Sequence, residues 1–161
     1  MDFQAALDFL TAGDELLLTT HVNADGDGLG ALLGLSHWLE AKGQAHRIVV
    51  NDETPDQKFR FLPGFERIES WGALTDRSPV SRLVVVDTPT MSEKRIGDVA
   101  NLIGAKTKTL VIDHHVGEDD EGDVQFLDSG ASAASELVYL LIRADEALVT
   151  RRDFHRLYRH P

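Results

Sequence analysis

Thr109-Leu110-Val111-Ile112-Asp113-His114-His115 runs from an apolar stretch straight into one carboxylate and two imidazoles. A short continuous apolar run of this kind reads as a strand buried on both faces, as in a parallel sheet. Two other runs end the same way. Leu16-Leu17-Leu18 leads through Thr19 and Thr20 into His21-Val22-Asn23-Ala24-Asp25-Gly26-Asp27, and Leu83-Val84-Val85-Val86 stops directly on Asp87. Strands that each end in aspartate or histidine predict convergence of those side chains at the carboxyl edge of an open sheet, where ligands bind. That convergence points to a metal site, with two ions rather than one.

Helical spacing fills the intervals between the strands. Phe3, Ala6, Leu7 and Leu10 predict a helix from Asp2 to about Ala12, stopped by Gly13; Leu29–Ala41 predicts a second, closed by Gly43. Ile48-Val49-Val50 begins a further strand, a short helix is expected near Gly97–Ile103, and Ala131–Ala144 reads as a helix. Asn51–Thr75 is less regular, with Pro55, Pro63 and Gly64 as turns. Thr150–Pro161 has the character of a short terminal helix, and Glu118–Asp123 that of a solvated acidic loop. The expected fold is therefore α/β, a three-layer sandwich with a mostly parallel central sheet and helices on both faces.

Composition narrows the chemistry. A chain of 161 residues fits one domain. With no cysteine, disulfide frameworks, zinc–thiolate sites, iron–sulfur clusters and cysteine nucleophiles are excluded. No apolar run approaches the roughly 18 residues of a membrane span, and the N-terminus lacks the basic start of a signal peptide, so the expectation is a cytoplasmic protein without a membrane partner. A formal charge of −11 works against loose attachment to nucleic acid. It is compatible with a phosphate-bearing substrate, because bound cations invert the field locally.

The loop His21–Asp27 carries three metal-capable side chains, and Gly26 and Gly28 give it the freedom to turn them inward. Carboxylate and imidazole donors suit Mn²⁺, Mg²⁺ or Co²⁺ better than soft metals. Asp87 is placed to bridge two ions, an arrangement that activates water for in-line attack on phosphorus. Duller readings stand beside this one. Asn23–Gly28 resembles the opening of an EF-hand loop, but Gly34 occupies its twelfth position, where glutamate is required. Gly26, Gly28 and Gly30 resemble a dinucleotide loop, but its third glycine would be Leu33. Asp87 taken alone is as well explained as a turn or helix-cap aspartate, and adjacent histidines also occur in surface loops. His37, His46, His155 and His160 read as solvent-facing, and Trp38 and Trp71 as packing residues.

On these segments the chain resembles the DHH phosphoesterase family, named for the Asp-His-His triplet found here at 113–115. His21–Gly30 is similar to its first motif, Val86-Asp87-Thr88 followed by Arg95-Ile96-Gly97 to its second, Ile112–His115 to its third, and Ala131–Leu137 to the helix start that follows. Within the family the resemblance is strongest to bacterial oligoribonucleases that also remove the 3′-phosphate of adenosine 3′,5′-bisphosphate. Cyclic-di-AMP phosphodiesterases share the same core, and a non-catalytic phosphate-binding module is the alternative from another class.

The resemblance implies two Mn²⁺ ions (Mg²⁺ or Co²⁺ as substitutes), His21 and Asp25 on the first, Asp27 and His114 on the second, and Asp87 between them. It implies that His115 touches the scissile phosphate or assists the leaving group while Asp113 orients the histidines. It further implies a short oligonucleotide or nucleotide substrate and a possible homodimer of the full-length form. Ala24 and Ala31 replace the family's usual proline and serine, and Glu118 a frequent asparagine. The family's fourth motif, a Thr-Asp-Thr-Gly-type strand end, should begin about where this chain stops; Asp128 and Asp153 do not match it. The expectation is a catalytic domain, residues 1–161, cut short before that motif and before a C-terminal substrate-binding domain.

Overall fold

Thr20, Val86 and Ile112 stand level across three adjacent parallel strands. That register places the residues that follow them, His21, Asp87 and Asp113, side by side at one sheet edge. The computed structural model describes residues 1–115 and 121–148, with only the backbone described for 146–148. Its elements are α1 (Phe3–Leu10), β1 (Leu16–Thr20), α2 (Gly26–Ala41), β2 (His46–Val50), β3 (Ile68–Ser70), β4 (Arg82–Val86), α3 (Glu93–Ile96), β5 (Lys108–Asp113), β6 (Val124–Leu127) and α4 (Ala134–Leu148). Short 3-10 turns break up the stretch between β2 and β4, and α3 runs on into another at Gly97–Leu102.

The six strands lie in the order β3-β2-β1-β4-β5-β6 and all five pairs are parallel. The chain winds outward from β1 in one direction and from β4 in the other. Between β1 and β4 the departing loops therefore diverge and leave a crevice at the carboxyl edge.

Alternation along the strands sorts the core into two layers. Leu16, Leu18, Ile48, Val50, Val84, Val86, Leu110, Ile112 and Phe126 face α1, α2 and α4. Leu17, Val49, Leu83 and Val85 face Leu74, Ile96, Val99 and Leu102. Both faces are covered, as expected, but unequally: the second layer is one turn of α3, the 3-10 segment after it and the stretch around Leu74.

Several local expectations are corrected. Helix α2 begins at Gly26 rather than Leu29, because the Asp25 carboxylate accepts from the amides of Asp27 (2.9 Å) and Gly28 (3.1 Å) and caps it. The strands β3 and β6 have no counterpart in the sequence reading. The acidic loop is not simply solvated where it is described: Glu121 accepts from the Met91 amide at 2.6 Å, and Asp123 accepts from the Thr109 amide at 2.9 Å. His46 does not face solvent. It is half-buried, its Nδ1 donating to the Gln44 carbonyl and its Nε2 accepting from Ser36 Oγ at 2.7 Å. Trp38 packs in the core as expected, while Glu118 and the terminal segment 150–161 lie outside the described residues.

Candidate metal centre

The first loop is shaped from outside itself. Leaving β1, the chain turns at Asn23, whose φ is +57°, and Asp52 from the end of β2 accepts the Asn23 and Ala24 amides, each at 2.7 Å. The Val22 amide donates to the Arg95 carbonyl at 2.7 Å. Helix α2 then descends onto β1 closely enough that a Cβ on Gly28 would lie 2.5 Å from Thr20 Oγ1. That hydroxyl donates to the Val86 carbonyl at 2.9 Å, so any side chain at position 28 would force the loop off the sheet.

Asp87 sits at the centre. It is 4% exposed, and its amide donates to the Ile112 carbonyl at 2.9 Å before the backbone turns through a left-handed φ of +61°. Its two carboxylate oxygens face different partners. Oδ2 lies 3.5 Å from His21 Nε2, and Oδ1 lies 3.4 Å from His114 Nε2. His21 Nε2 is also 3.8 Å from Asp25, and His114 Nε2 is 3.6 Å from Asp27. His21 donates from Nδ1 to the Val22 carbonyl at 2.8 Å, which leaves Nε2 as the nitrogen turned to the carboxylates.

These residues, with His115 and Arg95, line a cavity of about 420 Å³. All of the residues singled out by sequence are brought together. His21, Asp25 and Asp87 form one compact group of donor atoms, and Asp87, His114 and His115 another. The second differs from the expected set, which has Asp27 in place of His115. His115 offers that group its Nδ1, and this nitrogen already donates to Asp113 Oδ1 at 2.8 Å. Asp27 lies 3.6 Å from His114 Nε2. Its oxygens accept the Ala134 and Ser135 amides at 2.7 and 2.9 Å, so it anchors the start of α4.

The electrostatics follow from these contacts. The Asp87 carboxylate, helped by the Val22 carbonyl and Asp25, outweighs partial burial and raises His21 from 6.5 to about 9. Burial pushes the Asp27 carboxyl up, but hydrogen bonds from Ser135 and Ala134 and the nearby His114 outweigh it and hold the group below the usual aspartate value. Asp113 is 1% exposed, and its Oδ2 has no hydrogen-bond partner among the described residues.

The donor set fits hard divalent cations. Two ligand atoms about 2.1 Å from one ion stand roughly 3.0–3.4 Å apart, and the separations of 3.4–3.8 Å around His21 and His114 run from the upper limit of that span to a few tenths of an ångström beyond it. The split of the Asp87 oxygens between two imidazoles suits a carboxylate shared by two ions. Sequence reasoning missed Asp52 and the Asp27–α4 contact. Both join segments far apart in the chain, and neither has a local periodic signal.

Comparisons with known proteins identify the family and the fold. Residues 15–157 match the model described as DHH family, N-terminal domain. The bifunctional oligoribonuclease and PAP phosphatase NrnA of Bacillus subtilis is 30% identical over 128 residues, covering 80% of this chain and 38% of the relative. A probable NrnA of Streptococcus mutans is 27% identical, covering 84% of this chain and 41% of its own length. The chain thus spans about two-fifths of the length of these curated relatives. An exopolyphosphatase-related protein of Bacteroides fragilis shares the fold, with a TM-score of 0.77 at 24% identity over 88% of this chain and 43% of its own. Matched over a span that takes in all six strands, the chain belongs to the DHH family, as its N-terminal domain.

Proposed function

We propose that this domain is the catalytic core of a phosphoesterase that uses two divalent ions, Mn²⁺ foremost, to hydrolyse short oligoribonucleotides and the 3′-phosphate of adenosine 3′,5′-bisphosphate. The observation that carries the reading is the division of Asp87 between His21 and His114, 3.5 and 3.4 Å away on opposite oxygens. The names of the curated relatives supply the substrate class.

In this reading His21, Asp25 and Asp87 hold one ion, and Asp87, His114 and Asp27 the other. Bound there, the ions supply an acidified water and neutralise charge on the phosphoryl oxygens. Asp113 accepts a hydrogen bond from Nδ1–H of His115 and fixes the ring. The opposite nitrogen, Nε2, is then free to hand a proton to the departing oxygen. Asp25 has a second duty as the cap of α2, which keeps the ligand loop and the helix in one rigid unit.

Calorimetric titration of the chain with Mn²⁺ is expected to give two ions per molecule. Hydrolysis of a diribonucleotide and of adenosine 3′,5′-bisphosphate is expected with Mn²⁺ and lost with a chelator. A chain that takes up no divalent ion ends this reading; preference for cyclic-di-AMP over both substrates reassigns the substrate class.

A further inference from the structure

Among the described residues, Arg95 is the sole arginine or lysine lining the metal-centre cavity, whose wall also carries Asp25, Asp27 and Asp87. A guanidinium beside carboxylates ordinarily takes one of them bidentately. This one makes no hydrogen bond or ion pair with any described residue, through its side chain, although three acidic groups share its cavity. Those carboxylates are already turned elsewhere: Asp25 to the start of α2, Asp27 to the start of α4, Asp87 to the two histidines.

The main chain of Arg95 is nevertheless tightly held. Its amide donates to the Ser92 carbonyl at 2.8 Å, its carbonyl accepts from Val22 at 2.7 Å, and the next residue, Ile96, is fully buried. An exposed cationic fork is thus carried at a fixed point beside the first ligand loop. Its neighbour Lys94, on the same turn, does not line the cavity.

We propose that Arg95 is the residue that selects a terminal phosphate over an internal phosphodiester at this centre, an inference that rests on the phosphoesterase reading. A phosphodiester offers two non-bridging oxygens and one negative charge. A terminal phosphate offers three and, near neutral pH, close to two charges. Where the two carboxylate–imidazole groups engage two oxygens through their ions, only the terminal phosphate keeps a third for the guanidinium. The added charge makes that contact stronger still. Arg95 then recognises the monoester and is nearly indifferent to the diester.

The test compares the full chain with Arg95→Ala and Arg95→Lys, all loaded with Mn²⁺. Neither replacement touches the backbone bond to Val22, so Mn²⁺ stoichiometry serves as the control for an intact site. Arg95→Ala is expected to raise KM for adenosine 3′,5′-bisphosphate by about thirtyfold, the scale of a lost charged hydrogen-bond pair. KM for the diribonucleotide is expected to stay within about threefold, the scatter of a neutral surface change. Arg95→Lys should recover part of the loss, keeping the charge without the fork. Equal weakening on both substrates, or none on either, overturns the proposal. Binding of inorganic phosphate, measured by calorimetry, reads the same contact without turnover. If the parent chain hydrolyses neither substrate, weaker phosphate binding by Arg95→Ala still supports Arg95 as the terminal-phosphate contact while the phosphoesterase reading fails. Unchanged or absent phosphate binding overturns the proposal.

Discussion

The two ends of the sheet use similar side chains in opposite ways. At the amino end, the buried Arg82 donates through both terminal nitrogens to the carbonyls of Phe9 and Asp14, only its Nε lacking a partner among the described residues. Gln44 donates to the Asp14 carbonyl at 2.7 Å, and His46 has both nitrogens bonded. At the carboxyl end, His21 and His114 face carboxylates at 3.4–3.8 Å, close enough to attract and too long for good hydrogen bonds. Polar groups that satisfy one another hold a fold. Polar groups held near one another with lone pairs to spare are arranged for something that comes from outside.

Asp87→Asn tests that contrast most severely. Asparagine keeps the shape and tolerates the left-handed backbone but gives up the shared charge. Losing about 4 kcal/mol of charge stabilisation lowers turnover by roughly a thousandfold, and calorimetry should show fewer than two Mn²⁺ per chain. Turnover within tenfold of the parent would leave the two ends without a functional difference.

A pH series is the next probe. With the folded His21 at about 9 against 6.5 unfolded, its proton contributes stability that is complete below about pH 6.5 and lost as the pH rises through about 9. An ion must displace that proton. Mn²⁺ affinity should therefore climb by up to about tenfold per pH unit between pH 6.5 and 8.5. A flat affinity over that range would mean that His21 binds no ion.

Asp113→Ala removes the acceptor that fixes His115. The expected loss of activity is about 10- to 100-fold with Mn²⁺ stoichiometry unchanged. A smaller effect follows Asp52→Ala, which frees the Asn23 and Ala24 amides. Stability should fall by about 2 kcal/mol in urea unfolding, as expected for two bonds to a partly exposed carboxylate. Least of all, Ser36→Ala strips His46 Nε2 of its donor at the amino end. About 1 kcal/mol of stability should go, with turnover unaltered; a fall in turnover would show that the two ends are coupled.

The sheet was legible in its centre and faded toward its edges. β1, β4 and β5, like the Ile48–Val50 end of β2, carry continuous apolar runs because both of their faces are buried. β3 and β6 are edge strands of three and four residues, too short and too half-exposed to show a pattern. The site was legible for the same reason as the central strands. His21, Asp87 and Asp113 each come directly after or at the end of such a run, so parallel register aligns them. Asp52 escaped notice because its task is to hold two amides 28 and 29 residues earlier, a relation that only tertiary structure creates. The start of α2 was misplaced because Gly26 and Gly28 imitate a loop; their lack of side chains serves the close seat on Thr20 instead.

The left-handed turn at Asp87 sets durability against use. Relieving a non-glycine residue of that conformation is worth about 1–2 kcal/mol, so above about pH 9, where His21 no longer holds the proton that Asp87 stabilises, Asp87→Gly is placed to raise the melting temperature while abolishing the centre. A library of variants screened at such a pH only for heat resistance would discard this aspartate early, and its most robust survivors would be inert.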